Sequence, residues 1–258
     1  ILPRERGLFA PTKRALAWER LTLNLGLLAW LAIGIAICGL LSFSFVKNLR
    51  TIGEIAAETP KMPVLRGELT ADTLAEDQFR KAIVRVEEQN RNWWIPRFGL
   101  RESLHVEKGL KERYGRQFRE GFVQPFDRRL MDALRTMPPT VPNEQYAPAL
   151  IHLTRRINVL RASLERDGLE AMRTKPRPSW LFMGRDRQAA APETDAALGE
   201  LYLHDLAWRS DPDETRREIA ALQASLGQLY AVRGSDWQWL LSLTDRDTAV
   251  AAVTIDEF

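Results

Sequence analysis

The run from Leu21 to Val46, LTLNLGLLAWLAIGIAICGLLSFSFV, holds no charged residue between Arg20 and Lys47. It constrains the rest of the chain more than any other stretch. As a helix rising ~1.5 Å per residue it reaches roughly 39 Å, enough to cross a hydrocarbon core of about 30 Å with some tilt. Leu, Ile, Phe and Val dominate it, while Thr22, Asn24, Ser42 and Ser44 lie near its ends, the distribution that favours insertion. A secretory signal fits less well, because residues 1–20 precede the run, it exceeds a usual apolar h-region, and no clear A-x-A site follows. A buried helix of a soluble core rarely needs so long an uncharged stretch.

Charge on either side sets the expected orientation. Arg4, Arg6, Lys13, Arg14 and Arg20 precede the run, whereas Lys47 and Arg50 are the cations soon after it. By the positive-inside rule the N-terminal flank is cytoplasmic and the bulk of the chain lies outside. Trp18 suits the inner interface, and Trp30, too deep for that belt, is expected to pack on a neighbouring helix. Small residues recur at close spacing: Ala32 with Ala36, Gly34 with Cys38, and Gly39. Such spacing lets helix backbones approach, so these five are the expected helix-packing residues within the membrane.

The formal charge of +3 is mild. Its basic excess sits partly on the N-terminal flank and partly on helices where Arg alternates with Glu, not in the concentrated stripe of a nucleic-acid reader. Cys38 is the one cysteine, so an intrachain disulfide is impossible and the extramembrane part must be held by packing. The chain opens on Ile1 rather than Met, which suggests a piece of something longer or a processed product.

The expected fold class is all-α: one transmembrane helix followed by an elongated helical periplasmic domain. Its expected parts are a cytoplasmic juxtamembrane arm (1–20), the span (21–46), a helical region (47–172), a linker (173–197) and a second helical region (198–258). Helix-compatible sequence begins near Thr12, after Pro11. Past the span, Leu49, Ile52 and Ile55 keep helical spacing until Pro60 and Pro63. Thr73 to Glu76 (TLAE) has capping-box spacing, and the helix it opens carries Phe79, Ile83, Val86 and Trp93 to about Trp94.

Leu110, Tyr114, Phe118, Phe122, Phe126, Leu130 and Leu134 then recur every fourth residue, a stripe that drifts around a 3.6-residue helix and covers a broad apolar face. Pro125 is expected to kink this helix near Gly121, as a bent core helix more simply than as a hinge. Tyr146, Leu150, Leu153, Ile157, Leu160 and Leu164 form a narrow seam on the next helix. His152 lies beside that seam, with too few partners for a metal site.

Residues 173–197 are rich in Pro, Ala and Arg around an apolar knot at Trp180 to Met183, hence the expected boundary. Leu198, Leu201 and Leu206 mark a further helix. In Asp211-Pro212-Asp213-Glu214, Asp caps and Pro takes the first helical position, ahead of Ile219, Leu222, Leu226 and Leu229. Asp236 then caps DWQWLLSLTD, and the terminal AVAAVTIDEF fits a short strand or a truncated helix.

Catalytic signatures are absent from the sequence: no G-x-x-x-x-G-K-[ST], G-x-S-x-G or H-E-x-x-H, and no Cys/His nucleophile pair. Asp236 beside Trp237 and Trp239 fits a helix cap with core tryptophans better than a sugar site. No catalytic residue, cofactor or metal is therefore expected.

The succession LPRERGLFAPTKRALAWERL, span, SFVKNLRTIGEI, then P-R-F-G-L and a long aromatic helix with an internal Q-P-F resembles the IcmF/TssM family, the large inner-membrane subunit of type VI secretion systems. Glu5, Gly7, Leu8, Phe9 and Pro11 match that family's E-x-G-L-F-x-P lead into its last span. Arg97, Phe98, Gly99 and Leu100 match its R-F-G-L, and Pro125 matches the proline of the following helix. The resemblance covers roughly residues 1–140 and fades beyond. It implies an internal fragment between an upstream nucleotide-binding region and a far C-terminal β-rich region. The implied role is a structural, oligomeric scaffold linking inner membrane to periplasm, with TssL-like and TssJ-like subunits as partners, and no catalytic residue carried over. A single-span receptor with a ligand-binding periplasmic domain is the alternative from another class, and a membrane-tethered cell-wall enzyme a third.

Overall fold

The computed structural model describes residues 13–58, 61–94, 97, 99, 101–138, 142–165, 168–181 and 192–233. Among these the regular structure is helical and includes no strand, as the periodicities require. The arm before Lys13, the Asp236 cap and the terminal AVAAVTIDEF lie outside the described residues.

Helix α1 runs unbroken over Lys13–Glu58, 46 residues, so the uncharged stretch and its expected extension are one rod. The face of the extension that packs is a polar one. Leu49 is 52% exposed, whereas Ser44, Asn48 and Thr51 are buried at i, i+4 and i+7, on the side where α1 meets the following helices. Short polar side chains let the helices approach closely, which the larger Leu and Ile would prevent.

Helix α2 spans Leu69–Arg91 and starts before the expected capping box. Asp72 shapes the entry: its carboxylate accepts from the amides of Arg66 (2.9 Å) and Gly67 (2.8 Å), and Gly67 supplies the φ of +85° the turn needs. Thr73 is thereby inside the helix, donating its hydroxyl to the Leu69 carbonyl at 2.6 Å. Glu76 turns to the core instead of back to the helix start. Phe79, Ile83 and Val86 are buried as expected, with Trp93 beyond the helix end at the core margin.

The aromatic stripe occupies α3 (Glu102–Phe118), a π-helical turn at Arg119–Val123, and α4 (Gln124–Thr136). Pro125 has no amide for the Gly121 carbonyl and its ring crowds the preceding turn. The wider π turn accommodates both effects. It also keeps the stripe in phase. Residues four apart advance about 40° per step on an α-helix, so the four steps from Tyr114 to Leu130 would carry the last out of the core. One extra residue in the turn takes back roughly 100°. Tyr114, Phe118, Phe122, Phe126 and Leu130 are accordingly all buried. Gly121 leaves room for Leu65: a Cβ there would stand 2.2 Å from Leu65 Cδ1, so the leucine would have to shift.

Helix α5 (Asn143–Ser163) carries the expected seam, with Tyr146, Leu150, Leu153, Ile157 and Leu160 buried and Leu164 exposed beyond its end. After the short α6 (Gly168–Arg173) come α7 (Pro192–Ala207) and α8 (Pro212–Arg233). Asp211 caps α8 by accepting from Asp213 N at 2.9 Å, with Pro212 at the first helical position as the sequence indicates.

The expected boundary at 173–197 does not separate two cores. Helix α7 packs on α2 and α3, α8 packs on α5, and Phe79, Leu150, Leu201 and Leu229 belong to one apolar cluster. Trp180, inside the expected linker, is buried with its ring centre 5.0 Å from Phe126 and 4.9 Å from Tyr202. Tyr114 Oη donates to the Leu201 carbonyl (2.8 Å) and Tyr146 Oη to that of Leu229 (2.6 Å), pinning both late helices to the early ones. Residues 47–173 and 192–233 thus share a core, and 234–258 lie outside the described residues.

Candidate functional site

Helix α1 is long and apolar enough to cross a membrane. Its large apolar side chains have no cover: Leu27 is 69% exposed, Trp30 74% and Ile35 65%. So continuous an apolar surface marks a lipid or protein contact. The five small residues do not form one face. At 100° per residue Ala32, Ala36 and Gly39 fall within an arc of about 60°, and Gly34 and Cys38 lie on roughly the opposite side. A Cβ at Gly34 or Gly39 would meet nothing within 4 Å, so both sides are open to another helix.

Where α1 leaves its apolar stretch, the turn between α2 and α3 closes on it. Lys47 Nζ stands 4.9 Å from the Trp93 ring centre and 5.8 Å from that of Trp94. Arg97, the first residue of the expected R-F-G-L, holds this turn. It donates to Ser103 Oγ at 2.8 Å and to the Asn90 carbonyl at 3.1 Å, and its guanidinium lies 4.6 Å from the Trp93 ring centre. Gly99 has a φ of +87°, a conformation that favours glycine. Phe98 and Leu100 lie outside the described residues. Pro125 sits apart from this turn, just after the π segment. The motif residues thus divide into a brace where the apolar stretch of α1 ends and a helix irregularity farther along.

A buried ion network joins α4, α5, α7, α8 and the π turn. Arg156, 1% exposed, pairs through both terminal nitrogens with the Asp127 carboxylate and reaches Glu218 at 2.8 Å. Arg209 bonds Glu218 at 2.6 Å and Asp205 at 2.8 Å, and Arg119 bonds Asp205 at 2.7 Å. The Arg156 guanidinium also lies 5.3 Å from the Trp180 ring centre and 5.6 Å from that of Tyr202. Burial raises the Glu218 carboxyl, but Arg156 and Arg209 outweigh it and hold the group below its usual range. Burial likewise opposes the Arg156 charge, and Tyr202, Asp127 and Glu218 more than restore it. Three arginines face Asp127, Glu218 and Asp205, with Glu214 a fourth carboxylate 3.8 Å from Arg119, and charge-assisted bonds link these elements.

Sequence reasoning missed this network. Its signal was a charged residue, Arg156, three positions from Leu153 on the buried side of the α5 seam; the partners are scattered over elements that only the fold brings together.

Other polar groups near the network are engaged with the fold in part. His152 donates Nδ1–H to the Ser179 carbonyl at 2.7 Å, and burial, with Arg156 nearby, pulls it down to about 3, so it is neutral. A cleft of about 510 Å³ opens between α2, α6 and α7. Its Glu87 meets Lys111 at 3.3 Å and the Trp208 indole at 3.3 Å, and its Arg173 meets Glu170 at 2.9 Å. Among the described residues no group of three or more His, Cys, Asp or Glu gathers as metal ligands. The arrangement as a whole braces helices against each other and against α1. Compared with known proteins, the chain matches no family model, no curated protein and no solved structure.

Proposed function

We propose that this chain is a structural subunit of a membrane complex: a helical scaffold anchored by α1, with the arginine-rich flank in the cytoplasm and the helical bulk in the periplasm. The observation that carries the reading is the continuity of α1, which passes from an apolar, uncovered stretch onto α2 and α3 through the buried Ser44, Asn48 and Thr51. An anchor built this way transmits position and orientation, which a flexible tether would lose. The buried charges pair with one another across α4, α5, α7 and α8, which supports a bracing role for them; Arg119, Asp205 and Arg209 also line a cleft of about 270 Å³.

The resemblance of residues 1–140 to IcmF/TssM suggests which complex this is: a type VI secretion assembly of the inner membrane, in which the chain self-associates and meets TssL-like and TssJ-like subunits. The two opposite small-residue strips of α1 would serve two neighbours in lipid.

The test combines topology and company. In a Cys38→Ser background, Lys108→Cys, whose native side chain is 70% exposed, is expected to react with a membrane-impermeant maleimide from outside intact cells once the outer membrane is permeabilised. Affinity isolation of the detergent-extracted chain is expected to recover the TssL-like and TssJ-like proteins. Labelling of Lys108→Cys only after lysis of the inner membrane would reverse the topology, and isolation without either protein would remove the secretion reading.

A further inference from the structure

We infer that the turn between α2 and α3 is a footing on the lipid headgroups: Trp94, flanked by Trp93, Lys47 and Arg97, inserts into the interfacial layer of the bilayer that α1 crosses. The inference rests on the reading of α1 as a span and adds a second membrane contact beside it.

Depth is the first argument. Lys47 is the first charge after the apolar stretch, so its ammonium marks where α1 reaches the headgroups. Both tryptophan ring centres lie within 6 Å of that ammonium, at 4.9 and 5.8 Å. The domain also packs on Ser44, which is fully buried although it belongs to the uncharged stretch. Ser44 precedes Asn48 by about one helical turn, roughly 6 Å along the axis. The base of the domain therefore sits at the edge of the hydrocarbon and not above it.

Chemistry is the second argument. Trp94 is 80% exposed, an indole without protein cover at the level where an apolar ring and a polar N–H are both satisfied by an interface. Arg97 is braced by Ser103 and Asn90, and Lys47 lies beside the rings; the two cations stand where lipid phosphates would be. Continuity with the span identifies the occupant as phospholipid. A protein partner seated on this turn would have to share that headgroup layer with the bilayer.

The full chain, reconstituted in phosphatidylcholine and phosphatidylglycerol vesicles, tests this through lipids brominated at defined acyl depths, which quench indoles they touch. The Trp94 signal is obtained by subtracting the emission of Trp94→Phe from that of the unsubstituted chain, and the Trp30 signal from Trp30→Phe in the same way. Trp94 is expected to emit to the blue of water-exposed indole and to lose most of its intensity to shallow bromines and less to deep ones. Trp30, 74% exposed within the apolar stretch, is expected to be quenched most by deep bromines. Quenching of Trp30 with none of Trp94 overturns the footing alone, whether Trp94 then emits as in water or as an indole covered by protein. Loss of quenching at both positions overturns the span as well.

Discussion

Glu76 shows how little a local motif says about where a side chain will sit. In TLAE the threonine and glutamate are three apart, the spacing of a capping box, but the same spacing puts two residues on one face in mid-helix. Only the Asp72 carboxylate closing on Arg66 and Gly67 decides that the helix begins earlier. Glu76 is then fully buried, accepting from Gln117 Nε2 at 3.0 Å. Burial pushes its carboxyl up to about 7, with the Gln117 bond pulling down and the Asp72 charge adding to the rise. The native state therefore keeps a proton that the unfolded chain releases above about 4.5, and stability falls as pH rises through this window. Glu76→Gln removes the effect. Its stability relative to the unsubstituted chain is expected to increase by on the order of 3 kcal/mol between pH 4 and pH 8, measured by urea unfolding in detergent with tryptophan emission. A difference that does not change with pH would show that Glu76 carries the same charge in both states. His152 acts in the opposite sense: its stability contribution, complete above pH 6.5, is lost as pH falls toward about 3.

At the scale of elements the sequence was most informative where apolar residues repeat. The stripe from Tyr114 to Leu130 and the seam from Tyr146 to Leu160 both fill the core, because periodic burial is what an amphipathic helix is for. The π turn was legible only as a disturbance. Pro125 and Gly121 announced an irregular helix, but not that Leu65, far away in the sequence, fills the space above Gly121. Gly121→Ala is expected to cost about 1–3 kcal/mol, since the leucine must withdraw from a packed site. Leu65→Ala should recover part of that cost when combined with it. A double-mutant cycle in denaturant measures the coupling; strict additivity would mean that the two side chains do not compete for this space.

For the whole molecule, composition misled where packing decides. Pro, Ala and Arg between 173 and 197 look like a linker, but Trp180 lies in the core beside Phe126 and Tyr202. Arg156 and Glu218 join α5 to α8 across the same interior. A chain ending before Pro192 would lose Leu201, Tyr202 and Leu229 from the core and leave Arg156 with only part of its compensation. It is expected to be cleaved rapidly within 69–173 under protease concentrations that the longer chain resists. Equal resistance would restore the two-domain division.

The unbroken course of α1 has one more consequence. The rod has no swivel between the stretch assigned to lipid and the face at Ser44, Asn48 and Thr51, so spinning it about its own axis spins every other helix by the same angle. In an assembly of several copies, the azimuth of each helical domain would then be chosen by whichever strip of small residues on α1 finds its neighbour.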